Sequence, residues 1–179
     1  MKSIKLHDKQ FVPFIEEKQI LEMAHNLAHQ IRRDMAGKRP LFIVVLNGAF
    51  LFAADLFRCY EEDAEITFLR VSSYHGTESS GEVKQMMEIP EAVKDRDLIV
   101  VEDIIDSGLT IRFVTESLKA RGAASVKIAT LLFKPDAYRE NLHIDYIGFR
   151  VANDFLVGYG LDYNGLGRNI PAIYKLASF

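Results

Sequence analysis

Three runs in this chain, LFIVVL at 41–46, LIVV at 98–101 and VKIATLLF at 126–133, are apolar at nearly every odd and even position. Successive side chains of a strand point to opposite faces, so strands of this kind need cover on both sides, which helices on either face of a parallel sheet provide. A mixed run at 66–71 adds a fourth strand. Between the strands the period changes. In residues 16–35 the apolar positions Ile20, Met23, Ala24, Leu27 and Ile31 recur at three and four, and Gly37 followed by Pro40 ends the pattern, as expected of one amphipathic helix. Residues 49–60 also read as helical, and so do residues 110–121, with Ile111, Val114 and Leu118 as the buried stripe and Gly122 as the stop. The alternation predicts an α/β fold, a doubly wound, mostly parallel sheet that binds ligands outside the carboxyl ends of its strands. No repeat or low-complexity linker divides it. Residues 1–179 therefore read as a single domain, with a small hood expected from approximately 1–40 and 135–179.

A chain of 179 residues can bury a sizeable core without disulfides or a structural metal. Its 22 basic residues nearly balance 25 acidic ones, which gives no electrostatic reason to expect nucleic acid or an anionic membrane as partner. The lone Cys59 has no second cysteine to pair with, residues 1–13 lack the apolar core of a signal peptide, and no run approaches transmembrane length. A reducing cytoplasm is the expected compartment.

The chemistry concentrates in VVEDIIDSGLT, residues 100–110. A buried run ends in adjacent acids, Glu102 and Asp103; a third acid, Asp106, then opens a small-residue turn through Ser107 and Gly108 into Leu109, Thr110 and a helix. Backbone amides in such a turn at a helix N-terminus form a concave anion site that suits a phosphate monoester. The acids would repel that phosphate. They suit instead a cis-diol, which offers hydroxyl donors to acceptor-only groups, or a divalent cation. Phosphate at one end and diol at the other describe a ribose 5-phosphate. The plainer reading makes Glu102 and Asp103 solvated loop acids and Ser107 an ordinary helix cap.

The longer string LIVVEDIIDSGLT, residues 98–110, resembles the phosphoribosyl-diphosphate (PRPP) motif of type I phosphoribosyltransferases, and its flanks resemble the hypoxanthine-guanine branch. The similarity extends from about Leu41 to the C-terminus. It implies the type I phosphoribosyltransferase fold and transfer of a 5-phosphoribosyl group from PRPP to N9 of a 6-oxopurine, with release of pyrophosphate. Asn47-Gly48, which alone would read as a simple turn, becomes a pyrophosphate loop acting through main-chain amides, with a cis peptide between Leu46 and Asn47; many relatives carry a basic side chain where Asn47 stands. Ser73-Tyr74 match the family's mobile-loop pair, which makes the polar segment 72–85 a lid and not plain disorder; a reactive ribosyl centre needs one to exclude water. Lys134, otherwise a solvated strand-end lysine, donates to the purine O6. Phe155 stacks on the base, and the backbone of Leu156 reads its edge. Asp162 corresponds to the direct Mg²⁺ ligand and Arg168 to a pyrophosphate contact, while Glu102 and Asp103 hold the ribose hydroxyls directly or through a second Mg²⁺. Asp106 is the expected catalytic base for the purine N7 proton. Asp154 stands where relatives often have Lys or Arg, at a position that bears on the choice among hypoxanthine, guanine and xanthine. Family members are commonly homodimers or homotetramers, and the apolar 42–57 region is the expected interface.

Other readings attach to other residues. His25 and His29 have i, i+4 metal spacing on one helix face but no third ligand in view, and Arg32, Arg33, Lys38 and Arg39 gather where cations complement a helix dipole. A regulator that binds nucleotide or RNA without turnover, or a receiver-like or dehydrogenase-like domain, would account for the alternation alone, but LNGAF lacks the glycine-rich turn the dehydrogenase type requires. An enzyme for adenine or a pyrimidine is the nearest rival.

Overall fold

The computed structural model describes residues 2–73, 83–85 and 92–177. Its elements run β1 (Ile4–Leu6), β2 (Lys9–Ile15), α1 (Glu17–Asp34), β3 (Leu41–Leu46), α2 (Phe50–Arg58), β4 (Glu65–Ser73), β5 (Val83–Gln85), β6 (Asp97–Ile105), α3 (Leu109–Ala120), β7 (Ser125–Phe133), β8 (Tyr146–Arg150), β9 (Leu156–Val157) and β10 (Ile173–Leu176). The larger sheet has the order β5-β4-β3-β6-β7-β8; its five strands from β4 to β8 are parallel, and β5 pairs antiparallel at the β4 edge.

Both faces of this sheet are covered, as the strand composition demands. Along β3, Phe42 and Val44 join α1 and α2 in one core, whereas Leu41, Ile43 and Val45 join α3 in another; Ile99 and Val101 of β6 face the first, Leu98 and Val100 the second. Helix α1 buries Ile20, Ala24, Leu27 and Ile31, the stripe legible in the sequence, together with Ala28.

A second, four-stranded antiparallel sheet, β1-β2-β10-β9, closes over Phe11, Val157, Ala172 and Tyr174. It draws on segments near both ends of the chain. Within the stretches expected to form a hood, however, α1 packs into the main core and β8 extends the main sheet. Pro13 lies inside β2, opposite Tyr174, where the β10 register shifts between Ile173 and Tyr174; the irregularity accommodates a residue with no amide to donate.

One strand differs instructively from expectation. The β6 run continues past the acids to Ile105: its pairing with β3 ends at Val44↔Val101, while pairing with β7 continues through Glu102↔Thr130 to Ile105↔Phe133. Glu102 and Asp103 are therefore strand residues, held by backbone hydrogen bonds and not carried on a loop. The chain leaves β3 toward β4 and β6 toward β7, so the strand order reverses between β3 and β6, where an open α/β sheet forms its ligand crevice. Among the described residues no helix is long and apolar enough to cross a membrane.

Candidate active site

After β6 the chain turns through Asp106, Ser107 and Gly108 into α3. Gly108, at the N-cap position, has φ 92°, and a Cβ there would come within 2.5 Å of the Tyr138 ring, so a side chain is excluded by conformation and by space. The ordinary-cap reading of Ser107 fails on the same geometry: α3 has no side-chain cap and no acid in its first turn, and the Leu109 amide reaches Ser107 Oγ only at 3.5 Å. Among the described residues no side chain therefore caps this helix end. A cavity of about 90 Å³ sits there, lined by Glu102 and by the turn from Asp106 to Thr110.

A larger space, about 410 Å³, opens beside it and is lined by Gly48, Glu102, Asp103, Asp106, Thr110, Lys134, Phe155, Leu156, Asp162 and Arg168. Residues expected from four separated stretches of sequence thus surround one cavity. Of the mobile-loop pair, Ser73 ends β4 by its backbone, and Tyr74 lies outside the described residues, as does most of the 72–85 segment.

The acids are buried at a cost. Glu102 is 9% exposed, and among the described residues its Oε2 has no hydrogen-bond partner; burial first, and then the neighbouring Asp103 charge, push its carboxyl well above the ordinary value of 4.5. Burial likewise raises Asp103 to about 6, opposed by the Ile104 amide, which donates to Oδ1 at 2.9 Å, and by the Arg168 charge. A carboxyl whose folded value is raised costs nothing below its unfolded value and becomes a growing penalty as pH rises toward the folded value. Replacing Glu102 by Gln is therefore expected to stabilise the ligand-free protein at pH 8, with the gain vanishing near pH 4.5. Thermal melts of the two proteins across that range check it; a gain independent of pH would show that the charge is not the cause.

An unpartnered buried carboxylate oxygen on the cavity wall is what a divalent cation or a sugar hydroxyl requires. Among the described residues no three His, Cys, Asp or Glu side chains are grouped to hold a metal unaided. The donor set fits a cation that brings most of its ligands as substrate oxygens and water, which is how Mg²⁺ is ordinarily held.

The loop after β3 is packed closely against both β6 and the loop after β9. The Leu46–Asn47 peptide is cis, as the resemblance implies. Asn47 itself is exposed. A Cβ on Gly48 would lie 1.6 Å from Asp103 Oδ2, and one on Gly160 would lie 2.0 Å from the Gly48 carbonyl oxygen. Asp162 accepts from the Gly165 amide at 2.7 Å and pairs with Arg168 at 2.6 Å, while Arg168 Nη1 donates to the Gly160 carbonyl at 2.6 Å.

At the other end of the cavity, Lys134 Nζ donates to Asp106 Oδ2 at 3.1 Å and to Asn153 Oδ1 at 3.4 Å, with the lysine buried and Asp106 half exposed. Phe155 is 44% exposed; Phe11 tilts against it at 6.1 Å and Tyr163 meets it edge-on at 5.7 Å, so the ring is braced from behind. Leu156 is buried in β9. Asn153 and Gly160 were not singled out in the sequence: nothing in its pattern marks an asparagine that meets a lysine 19 positions away. Asp154 does not line the cavity. His25 and His29 meet edge-on, with ring centroids 4.7 Å apart, on an exposed face, and no third ligand joins them among the described residues.

A sheet crevice with an uncapped helix end, paired acids and an aromatic shelf defines a protein that handles a phosphorylated sugar beside a planar base. The pattern of the phosphoribosyl transferase domain matches residues 15–164. The chain belongs to the phosphoribosyltransferase family. It is 43% identical over 160 residues to the hypoxanthine-guanine phosphoribosyltransferase of Lactococcus lactis, covering 89% of this chain and 87% of that relative. A crystal structure of a hypoxanthine-guanine phosphoribosyltransferase from Bacillus anthracis, with HEPES in its active site, superposes with a TM-score of 0.87 at 39% identity over 93% of this chain and 97% of that one. A hypoxanthine phosphoribosyltransferase from Staphylococcus aureus does so with a TM-score of 0.88 at 35% identity, over 93% and 91%.

Proposed function

We propose that this enzyme transfers the 5-phosphoribosyl group of PRPP to N9 of a 6-oxopurine, hypoxanthine or guanine, giving IMP or GMP and pyrophosphate in purine salvage. The observation that carries the base assignment is the Lys134–Asp106 pair beside the exposed Phe155 ring. A 6-oxopurine presents a carbonyl O6 and a protonated N7 on one edge, an acceptor next to a donor; an ammonium next to a carboxylate is its complement. Adenine offers an amino group where Lys134 needs an acceptor.

In this reading the 5′-phosphate takes the amides at Ser107, Gly108, Leu109 and Thr110, and Glu102 and Asp103 accept from the ribose hydroxyls. As N9 bonds to the anomeric carbon, the bond from that carbon to pyrophosphate oxygen breaks, and the N7 proton passes to Asp106, with Lys134 holding O6. Phe155 stacks on the base, and the Leu156 backbone fixes its edge. The departing pyrophosphate is met by the amides of Asn47 and Gly48 and by Arg168, released from Asp162. Mg²⁺, when bound, supplies charge neutralisation at the pyrophosphate oxygens, and Asp162, Glu102 and Asp103 are the side chains proposed to hold it, together with substrate oxygens. Ser73 and Tyr74 belong to the lid in this proposal.

A cytoplasmic location and a homodimeric or homotetrameric assembly complete the proposal. Phe42 and Phe52 of the 42–57 region are core residues, which leaves Phe50, 40% exposed, for such a contact, and sedimentation velocity tests it. The decisive experiment is pyrophosphate release from PRPP and magnesium with hypoxanthine, guanine, xanthine, adenine and uracil in competition. Hypoxanthine or guanine should exceed adenine by about 10³-fold or more in kcat/KM, since a mispaired polar edge is rejected far more strongly than a missing methylene. Comparable use of adenine overturns the assignment of Lys134.

A further inference from the structure

Between the pyrophosphate loop and the Asp162 loop lies a contact that involves none of the residues assigned above. Tyr159, 4% exposed, donates its hydroxyl to Asp55 Oδ2 of α2 at 2.5 Å. Burial, then the hydrogen bond and charge of Asp55, push the phenol up from its ordinary value of 10, so the hydroxyl stays protonated and remains the donor. Asp55 is drawn as well toward Arg58, 3.6 Å away on the same helix.

The backbone around Tyr159 shows why an anchor is needed. Gly158, Tyr159 and Gly160 have φ of 97°, 48° and 97°, three successive residues in a region that side chains other than glycine's rarely adopt. The glycines reach it freely, and the tyrosine does not. Their amides are tied to Leu161, Ile170 and Arg168 carbonyls at 3.0, 2.7 and 3.0 Å, and the Tyr159 ring belongs to the main core with Phe52 and Leu56 of α2, which brings its hydroxyl to that helix. Helix α2 begins directly after Asn47-Gly48. The Tyr159–Asp55 bond joins this loop to that helix, and Gly160, the next residue, rests on the Gly48 carbonyl with no room for a Cβ.

We propose that Asp55 and Tyr159 are a positioning pair that sets the distance between the Asn47-Gly48 amides and the Asp162–Arg168 side chains, and so fixes the width of the pyrophosphate seat. The inference rests on the PRPP reading of the cavity. The two residues touch no reacting atom. They act through the loops they join, and the purine end of the cavity, built from Lys134, Asp106 and Phe155, does not depend on them.

The test is a double-mutant cycle with Tyr159→Phe, which keeps the ring and removes one hydroxyl, and Asp55→Ala, which breaks the same bond from the partly exposed side of α2. Each single variant should raise KM for PRPP, and the inhibition constant of pyrophosphate, about tenfold, with KM for the base within about twofold of wild type. The double variant should be no worse than either single, because both remove one interaction. Asp55→Asn, which keeps an acceptor oxygen, should recover most of the loss. The inference is overturned by an unchanged PRPP KM in both singles, by equal rises in the PRPP and base KM values, as general loosening would give, or by additive losses in the double variant. Absence of PRPP-dependent turnover in the wild type would instead count against the functional reading, and hydrogen exchange then judges the pair: amides 158–162 should exchange at least about tenfold faster in both singles, and unchanged protection overturns it.

Discussion

Asp106→Asn is expected to lower kcat by about 10² to 10⁴ while leaving KM for PRPP within a few-fold of wild type. The substitution keeps the volume of the side chain and an acceptor oxygen, so the turn into α3 and its cavity for the 5′-phosphate survive. What it removes is the group that, in the proposed mechanism, would take the N7 proton as positive charge gathers on the purine. Lys134 sharpens the expectation. Its ammonium is nearly enclosed, and Asp106 is its anionic partner, at 3.1 Å. In the ligand-free enzyme each therefore neutralises the other, and an arriving base must insert its O6 and N7 edge against a pair already aligned for it. Asparagine offers the lysine a neutral oxygen, which leaves the ammonium less compensated and the base pocket intact in shape. Steady-state kinetics with saturating hypoxanthine separate the two effects: the loss should fall in kcat. Turnover within a few-fold of wild type would mean that water or the substrate's own pyrophosphate removes the proton, and that Asp106 serves only to hold Lys134.

The ligand-free site balances its charges unevenly. Lys134 is matched by Asp106 and Arg168 by Asp162, whereas among the described residues Glu102 and Asp103 form no ion pair of their own, and both sit above their ordinary values. On the proposed reading, stability is given up at the positions that would accept from a sugar or a metal, and kept at the positions that would recognise the base and receive the leaving group. The expected melting-temperature gain of Glu102→Gln is the direct measure of that sacrifice.

Much of this arrangement was legible in the sequence because it is local. The strands LFIVVL and LIVV declared themselves by being apolar on both faces, and that alone required helices on two sides and a crevice at the strand ends. The order acid, acid, acid, small turn, helix pointed to one cavity within eleven residues, and those residues do line it. What stayed hidden depends on partners distant in sequence. Strand β2 carries Pro13, which argues against a paired strand until the shifted register of β10, some 160 positions later, is known to receive it. The full length of β6 was concealed because Glu102 and Asp103 look like a loop; their pairing comes from β7, beyond the end of β3. Gly160 reads as a turn glycine, and only the fold reveals that it lies on the Gly48 carbonyl. Lys134 and Asp106 were each assigned a role, but their meeting is a property of neighbouring strands that end at one level.

Gly48→Ala is expected to lower kcat/KM for PRPP by about 10² or more. Its backbone is not in the left-handed region, so the added methyl meets no conformational objection; the damage comes entirely from the 1.6 Å approach to Asp103 Oδ2. A contact that short cannot be absorbed in place. Asp103 must rotate away from the Ile104 amide that holds it, or the Asn47-Gly48 loop must lift, and lifting is opposed by Gly160 lying on the Gly48 carbonyl. Either response spoils one half of the PRPP site, the hydroxyl acceptor or the pyrophosphate amides. The two are separable by placing Gly48→Ala in an Asp103→Ala background, where the methyl has space. If rotation of Asp103 is the route, the double variant should be no less active than Asp103→Ala alone, and pyrophosphate should inhibit it as it inhibits that single variant. If the loop lifts instead, the losses compound and pyrophosphate inhibition weakens. Full activity of the Gly48→Ala single variant would show that the carboxylate does not sit against the loop during turnover, and Asp103 would lose its place in the ribose site.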